Sequence, residues 1–468
     1  MAHQFSHYLR SKKPLLRMLV QQLQILYPYV SVLATDVHGF AITVDRQTTT
    51  ISPSGMSECG FVVRVFDQNR YSEYAFNQIT KANIPLIIAA IQQLTSSKGT
   101  IPPVNAPLIQ ERPLVKRFVR KNLGRDLSKE EIIAFFKEDV QRGLEVSDAI
   151  VNVRVHVEHT EVSKMFLSQA RDLEQYYTWS NPRVFVVSRR EESTKYAYDG
   201  FGMNALAEAL DELKKRVVTT AKLAVELLDA TPPEPGFYDV ITDPSITGLI
   251  AHEAFGHGVE MDMFVKDRAK AKEYMNKRVA SNSVHMRDGA KSTFSVASYF
   301  FDDEGVLAQN TKIIDKGILK RGIADTISAL QLGVEPTGNG RRESYKRKAY
   351  TRMTNTFFEP GNDEVDQMIQ SIAHGYMLFQ TNNGMEDPKN WGIQCTAHYG
   401  REIVDGAFSG KIVSPCVMSG YVIDLLMSIT AVSQNFEIIG SGSCGKGYKE
   451  WVRVSDGGAC LKAKVKIG

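Results

Sequence analysis

Cysteine is scarce and unpaired in this chain. Its 468 residues contain five, Cys59, Cys395, Cys416, Cys444 and Cys460, and their odd number and wide spacing exclude a disulfide framework and a C-x-x-C zinc module. No stretch approaches the roughly 20 consecutive apolar residues that cross a bilayer, which excludes a membrane-spanning helix. The basic residues between Met1 and Lys13 are not followed by an apolar core, because Arg17, Gln21, Gln22 and Gln24 interrupt it, so no secretory leader is expected. Charge of one sign is lacking as well. The formal net charge is +3, too small for a dedicated nucleic-acid binder. A cytoplasmic globular protein of two or three domains is the expectation.

Helical periodicity of Leu15, Leu16, Met18, Leu19, Leu23 and Leu26 predicts an amphipathic helix over Pro14 to Leu26. Strands are predicted at Phe40 to Val44, Gly60 to Phe66 and Tyr71 to Phe76, followed by a helix over Asn77 to Leu94 and a polar linker at Ser96 to Gly99. Prolines 102, 103, 107 and 113 mark an extended connector. Ser128 with Glu131 forms a capping-box pattern ahead of the next helix. Strands at Ala149 to Glu158 and Arg183 to Ser188 lead to a long helix over Met203 to Leu228, and the proline-rich run Thr231 to Gly236 breaks the chain. Beyond it come short β-rich runs at Phe237 to Ile241, Thr293 to Tyr299, Thr311 to Leu319, Arg401 to Phe408 and Gly458 to Ile467. The fold class is therefore α+β, with smaller N-terminal α/β segments (1–100 and 101–232) before a large, mostly antiparallel, β-rich C-terminal domain (233–468).

The chemistry concentrates at Ile250 to Gly258, where His252, Glu253 and His257 form H-E-x-x-x-H. Two imidazoles and an adjacent carboxylate are the minimal set for activating a metal-bound water. The spacing is one residue longer than an α-helix can use: residues four apart lie roughly 40° apart around the axis, residues five apart roughly 140°. Gly256 and Gly258 flank the second histidine, and glycine lets a helix end, widen into a π-turn or change direction at little steric cost. A helix from about Ser245 to Phe255 that distorts at Gly256 is the expectation. A third ligand has three candidates, Glu260, Cys444 and Cys460. Cys444 is favoured because it lies among glycines, on what reads as a loop whose backbone can approach a metal closely. Cys59, Cys395 and Cys416 read as small buried hydrophobes, and Lys266 to Lys277 as a solvated helical face.

Four blocks in order, His252 to His257, Pro336 to Tyr345, Arg352 to Thr356 and Gly442 to Lys446, resemble the TldD branch of the TldD/PmbA family of metallopeptidases. Gly60 to Phe76 resembles the family's first domain, so the similarity covers most of the chain. The resemblance implies a zinc peptidase of the cytoplasm in which His252 and His257 bind the metal, Glu253 is the catalytic carboxylate and Cys444 is the third ligand. It also implies a dimer enclosing an internal cavity that admits unfolded peptides or flexible tails, either a homodimer or a heterodimer with a PmbA (TldE) subunit.

Within the second and third blocks, Arg341, Arg342 and Tyr345 are of the types that grip a carboxylate or stabilise an oxyanion. They read equally well as a charged turn in which the arginines pair with Glu343 or are solvated. Asn339, Thr354 and Asn355 are candidates for lining a sheet edge to which an extended peptide adds. Two other functions fit the motif: a non-catalytic peptide-binding or scaffold subunit whose structural zinc has four protein ligands, Glu260 among them, and metal-assisted hydrolysis of a non-peptide amide.

Overall fold

The computed structural model describes residues 4–68, 70–96, 106–120, 124–447 and 450–468. The polar linker and prolines 102 and 103 fall largely outside them. The first helix, α1 (His7–Gln24), begins seven residues before Pro14, because the Ser6 hydroxyl caps it by accepting from the Leu9 N–H and Leu9 is buried with Leu16, Leu19, Val20 and Leu23. Proline 14 is carried inside the helix. The second, α2 (Ile84–Ser96), starts later than its apolar pattern suggests. Thr80 and Asn83 exchange side-chain-to-backbone hydrogen bonds and hold the preceding residues in a turn that competes with helix. The helices α3 (Lys129–Leu144), with its Ser128–Glu131 capping box, and α4 (Leu206–Glu226) follow.

These helices cover one eight-stranded sheet made of β1 (Tyr29–Val44), β2 (Thr49–Pro53), β3 (Glu58–Asp67), β4 (Arg70–Phe76), β5 (Leu114–Val119), β6 (Ile150–Ser168), β7 (Arg171–Arg190) and β8 (Ser193–Gly200). Its order is β4-β3-β1-β6-β7-β5, with β2 on β1 and β8 on β7. The long pairing of β1 with β6, from Ser31↔Ser168 to Val44↔Val155, joins the segments before and after residue 100 into one sheet. At one end of the long strands α1 and α2 bury Leu16, Leu19, Ile84 and Ile87 against Val32, Val63 and Met165. At the other end α3 and α4 bury Phe136, Leu213 and Val217 against Val153, Val155 and Val186.

The second sheet has eleven strands: β9 (Gly236–Thr242), β10 (Met286–Asp288), β11 (Thr311–Asp315), β12 (Ile318–Leu319), then, after a separate hairpin of β13 (Gly340–Arg341) and β14 (Tyr350–Thr351), β15 (Asn355–Phe358), β16 (His374–Asp387), β17 (Gly392–Val404), β18 (Ala407–Val413), β19 (Cys416–Tyr421), β20 (Ala431–Lys446) and β21 (Glu450–Ile467). Pairing is antiparallel except for β9 with β16 and β15 with β21. Because β9 pairs with both β16 and β21, while β16–β17, β17–β19 and β19–β21 also pair, five of these strands close into a ring. The fold is α+β, as its patterning implies.

Two stretches depart from their sequence pattern. Residues Thr293 to Tyr299, β-rich in composition, form no strand. They are an inner loop whose groups are satisfied by side chains, with Asn355 Nδ2 donating to Ser298 Oγ at 3.1 Å and Ser298 Oγ to the Thr293 carbonyl at 2.8 Å. Residues Lys266 to Lys277 are not a solvated helix. They hold a short 3-10 turn, Lys270–Tyr274, which lays Tyr274 on Trp391 at 4.6 Å between ring centres and Lys270 over the same indole.

The two sheets are locked by buried charge. Arg342 grips Glu73 of β4 bidentately at 2.6 and 2.9 Å, Arg64 of β3 reaches the same carboxylate at 2.7 Å, and its other arm reaches Glu304 at 2.6 Å. Burial by itself would raise the Glu73 carboxyl, but Arg342 and Arg64 hold it far below the usual carboxylate range. Such a group stabilises the fold fully above its unfolded value of about 4.3, and the contribution is lost as pH falls toward the folded value. Glu73→Gln is therefore expected to lower the urea midpoint at pH 7, consistent with a loss on the order of 3 kcal/mol for a broken buried pair. The gap to wild type should narrow below about pH 4, and a gap independent of pH would contradict this assignment.

Candidate metal centre

The helix carrying the two histidines starts at a well-made cap. Asp243 precedes Pro244 at the first turn of α5 (Pro244–Leu249) and accepts from the Ile246 N–H at 2.8 Å. Its second oxygen accepts from the Gln380 N–H at 3.1 Å, fixing the helix start to β16. Gly248 then lies directly on β21, where a β-carbon would come within 2.3 Å of the Gly457 nitrogen. The apolar residues Ile246, Leu249, Ile250, Ala254 and Phe255 fill the core shared with the strand ring.

From Ile250 to Gly256 the helix is a π-helix. The His257 N–H donates to the His252 carbonyl, five residues back instead of four. Residues five apart are then stacked one turn above another, and the two imidazoles meet with ring centres 5.1 Å apart. The distortion inferred from the spacing is present, but it begins at Ile250, six residues ahead of Gly256. Gly256 itself has ordinary helical angles, φ −60° and ψ −47°. Its role is space: a β-carbon there would lie 2.2 Å from Met353 Sδ. Gly258 serves the same end, since a β-carbon there would lie 2.7 Å from Glu386 Oε1.

The third donor arrives from 187 positions away. Cys444 sits in β20, paired with Val452 of β21, on a strand and not on the loop its glycines suggested. The fully buried Arg352 donates to the carbonyls of Cys444 at 2.5 Å and Glu450 at 3.0 Å, which pins this end of the hairpin. Cys444 Sγ lies 3.5 Å from His257 Nε2, and one donor atom from each of His252, His257 and Cys444 falls within 4.8 Å of the others. Glu253, a quarter exposed, has Oε2 3.8 Å from His257 Nε2.

The chemistry of these donors suits a transition metal. Burial would raise the Cys444 thiol, but His252 and His257 beside it bring it well below its ordinary value, favouring the thiolate that coordinates metals. His252 Nδ1 is buried without a hydrogen-bond partner among the described residues, the kind of orphan that a ligand resolves. Glu260 does not join the set. Its Oε2 faces His257 Nδ1 at 3.2 Å, on the opposite side of the ring from Cys444. Cys460 lies in a separate apolar cluster with Ile241 and Met368.

Residues 235–456 match the family model of the PmbA/TldA metallopeptidase C-terminal domain. The chain is 27% identical to a metalloprotease of Methanocaldococcus jannaschii over 86% of this chain and 89% of that protein. It is 31% identical to a zinc metalloprotease TldD homolog of Saccharolobus solfataricus over 58% of each.

Residues 235–456 of the chain belong to the PmbA/TldD family.

Its fold matches that of TldE from Thermococcus kodakarensis with a TM-score of 0.74 at 16% identity, covering 97% of this chain and 99% of the other.

The remaining motif residues of this PmbA/TldD domain have structural surroundings. Asn339, Thr354 and Asn355, expected along a peptide-binding edge, are fully buried. Asn339 Nδ2 and the Thr354 hydroxyl both donate to Asp288, at 2.7 and 3.0 Å, and Asn355 Nδ2 donates to the Gly289 carbonyl at 3.0 Å. Asp288, which also accepts from the Thr354 N–H and the Thr356 hydroxyl, is the hub of this network. No motif marks it in the sequence. Arg341 donates to the carbonyls of Met353 and Arg453 at 2.7 and 2.6 Å, and Arg342 is committed to Glu73, not to Glu343. Tyr345 covers Gly60, where a β-carbon would lie 2.4 Å from its ring. Arg341, Tyr177, Tyr299 and Trp451 border a cavity between the two sheets.

If Gly256 is required for space and not for conformation, Gly256→Ala should destabilise the protein by roughly 1–3 kcal/mol through overpacking. Met353→Ala should lower the thermal midpoint less in the Gly256→Ala background than in the wild type, because it makes room for the added methyl group. Strictly additive losses would show that the backbone itself needs glycine.

Proposed function

We propose that this chain is a zinc-dependent peptidase acting on unfolded peptides or flexible protein tails. The observation that carries the reading is the convergence of two imidazoles and a thiol, with donor atoms within 4.8 Å, beside a carboxylate 3.8 Å from one of those imidazoles. In this reading His252, His257 and Cys444 hold the ion. Bound zinc supplies Lewis acidity toward a carbonyl oxygen and toward water. Glu253 accepts the proton of the attacking water and returns it to the leaving amine nitrogen. Gly384 of β16 gives that carboxylate its room, since a β-carbon there would lie 2.8 Å from Glu253 Cγ.

Glu260, at the far nitrogen of His257, is not counted among the donors, which favours a catalytic ion over a structural one with four protein ligands. The zinc metalloprotease name of a relative supports the choice of metal. A dimer, with a TldE-type subunit or with a second copy of the chain, is part of the proposal, and similarity to a TldE structure supports the first of these. No helix among the described residues is long and apolar enough to cross a membrane. A cytoplasmic location is part of the proposal and accords with five unpaired cysteines.

Glu253→Gln should keep its metal and lose cleavage of an unfolded peptide by about 100-fold or more, whereas Cys444→Ala should lose the metal itself. Metal content and turnover, measured side by side on the full chain, check both. Undiminished turnover by a metal-replete Glu253→Gln protein would overturn the proposed role.

A further inference from the structure

Glu260 is held by a residue from the same strand as Cys444. Lys446 Nζ donates to Glu260 Oε2 at 2.9 Å, to Asp262 Oδ1 at 2.7 Å and to the Thr351 carbonyl at 3.0 Å. An ammonium has three N–H bonds, so all are used and the head group is fixed. Glu260 is 1% exposed, and an uncompensated carboxylate so deeply buried is costly. Lysine 446 supplies the compensation.

The register makes this more than a charge pair. Cys444 and Lys446 are two residues apart on β20, and side chains two apart on a strand point to the same face. One strand therefore reaches both nitrogens of one imidazole: Cys444 Sγ lies at Nε2, 3.5 Å away, and Lys446 acts through Glu260 at Nδ1, 3.2 Å away. When the ring is neutral, donation of Nδ1–H to Glu260 leaves the lone pair on Nε2, which faces the thiol. A carboxylate on the distant nitrogen of a ligating histidine fixes its tautomer and orientation and raises its basicity.

Resting on the proposed ligand set, we infer that Glu260 and Lys446 are a positioning pair that orients His257 and binds the π-turn to the strand carrying Cys444, so that the two ligands are presented as one rigid unit. Neither residue touches substrate or metal in this account.

The test is metal affinity of the full chain, by competition with a chromophoric chelator, and the thiolate-to-cobalt absorption of the Co(II)-loaded protein. Glu260→Ala and Lys446→Met should each weaken binding about 10–100-fold, and Lys446→Arg should recover most of it. The double variant Glu260→Ala/Lys446→Met should bind about as weakly as Glu260→Ala alone, because the lysine acts through the carboxylate. Additive losses, or wild-type affinity and cobalt spectrum in either single variant, would overturn the pairing. If Lys446→Met does not fold, Glu260→Gln and Lys446→Arg carry the same comparison, and affinity unchanged in Glu260→Gln would count against it. Failure of the ligand set itself is distinguishable, since wild type would then show no thiolate-to-cobalt band.

Discussion

A single backbone hydrogen bond, from the His257 N–H to the His252 carbonyl, governs the candidate site. With a bond to the residue four back, the helix would direct the two imidazoles roughly 140° apart and no common ion could reach both. With the bond to the residue five back, the rings meet 5.1 Å apart. A π-turn is not a low-energy default, so the surrounding protein has to make the wider helix the better-packed choice.

The supports can be named. Asp243 sets where the helix begins. Gly248 against Gly457 and Gly256 against Met353 allow contacts that no side chain would permit. Arg352 holds the Cys444 end of the β20–β21 hairpin, while its own backbone carbonyl accepts from Asn339, which is bonded in turn to Asp288. The motif residues after position 335 thus act chiefly as scaffolding for the helix and the cysteine strand. Glu73 and Arg342 then fix that scaffold to the N-terminal sheet. A site built this way depends on both sheets being folded, although the three proposed ligands lie on the second sheet and on the helix packed against it.

Features encoded locally could be read from the sequence. The Ser128–Glu131 capping box, most strand runs, the α+β class and the need for a distorted helix between His252 and His257 follow from neighbouring residues and their periods. Features that depend on distant partners could not. The start of α1 hides behind Pro14 because only the burial of Leu9 reveals it. Residues 293–299 have β composition but bond to side chains instead of a strand, Asn355 Nδ2 donating to Ser298 Oγ and the Ala297 N–H donating to Ser455 Oγ. Gly256 suggested backbone freedom, while its surroundings require empty space. Asn339, Thr354 and Asn355 have a polarity that would suit a surface, yet buried Asp288 draws the first two inside and the neighbouring Gly289 carbonyl holds the third. Residue type named the donors, and spacing found the first pair. Which cysteine joins them is a property of strand register.

The central claim is that His252, His257 and Cys444 share one ion. X-ray absorption at the zinc edge of the metal-loaded chain tests it most directly. The account predicts a mixed shell with one sulfur at about 2.3 Å and two imidazole nitrogens at about 2.0–2.1 Å, the sulfur disappearing in Cys444→Ser. A wild-type shell of nitrogen and oxygen alone, or a sulfur that persists in that variant, would contradict it.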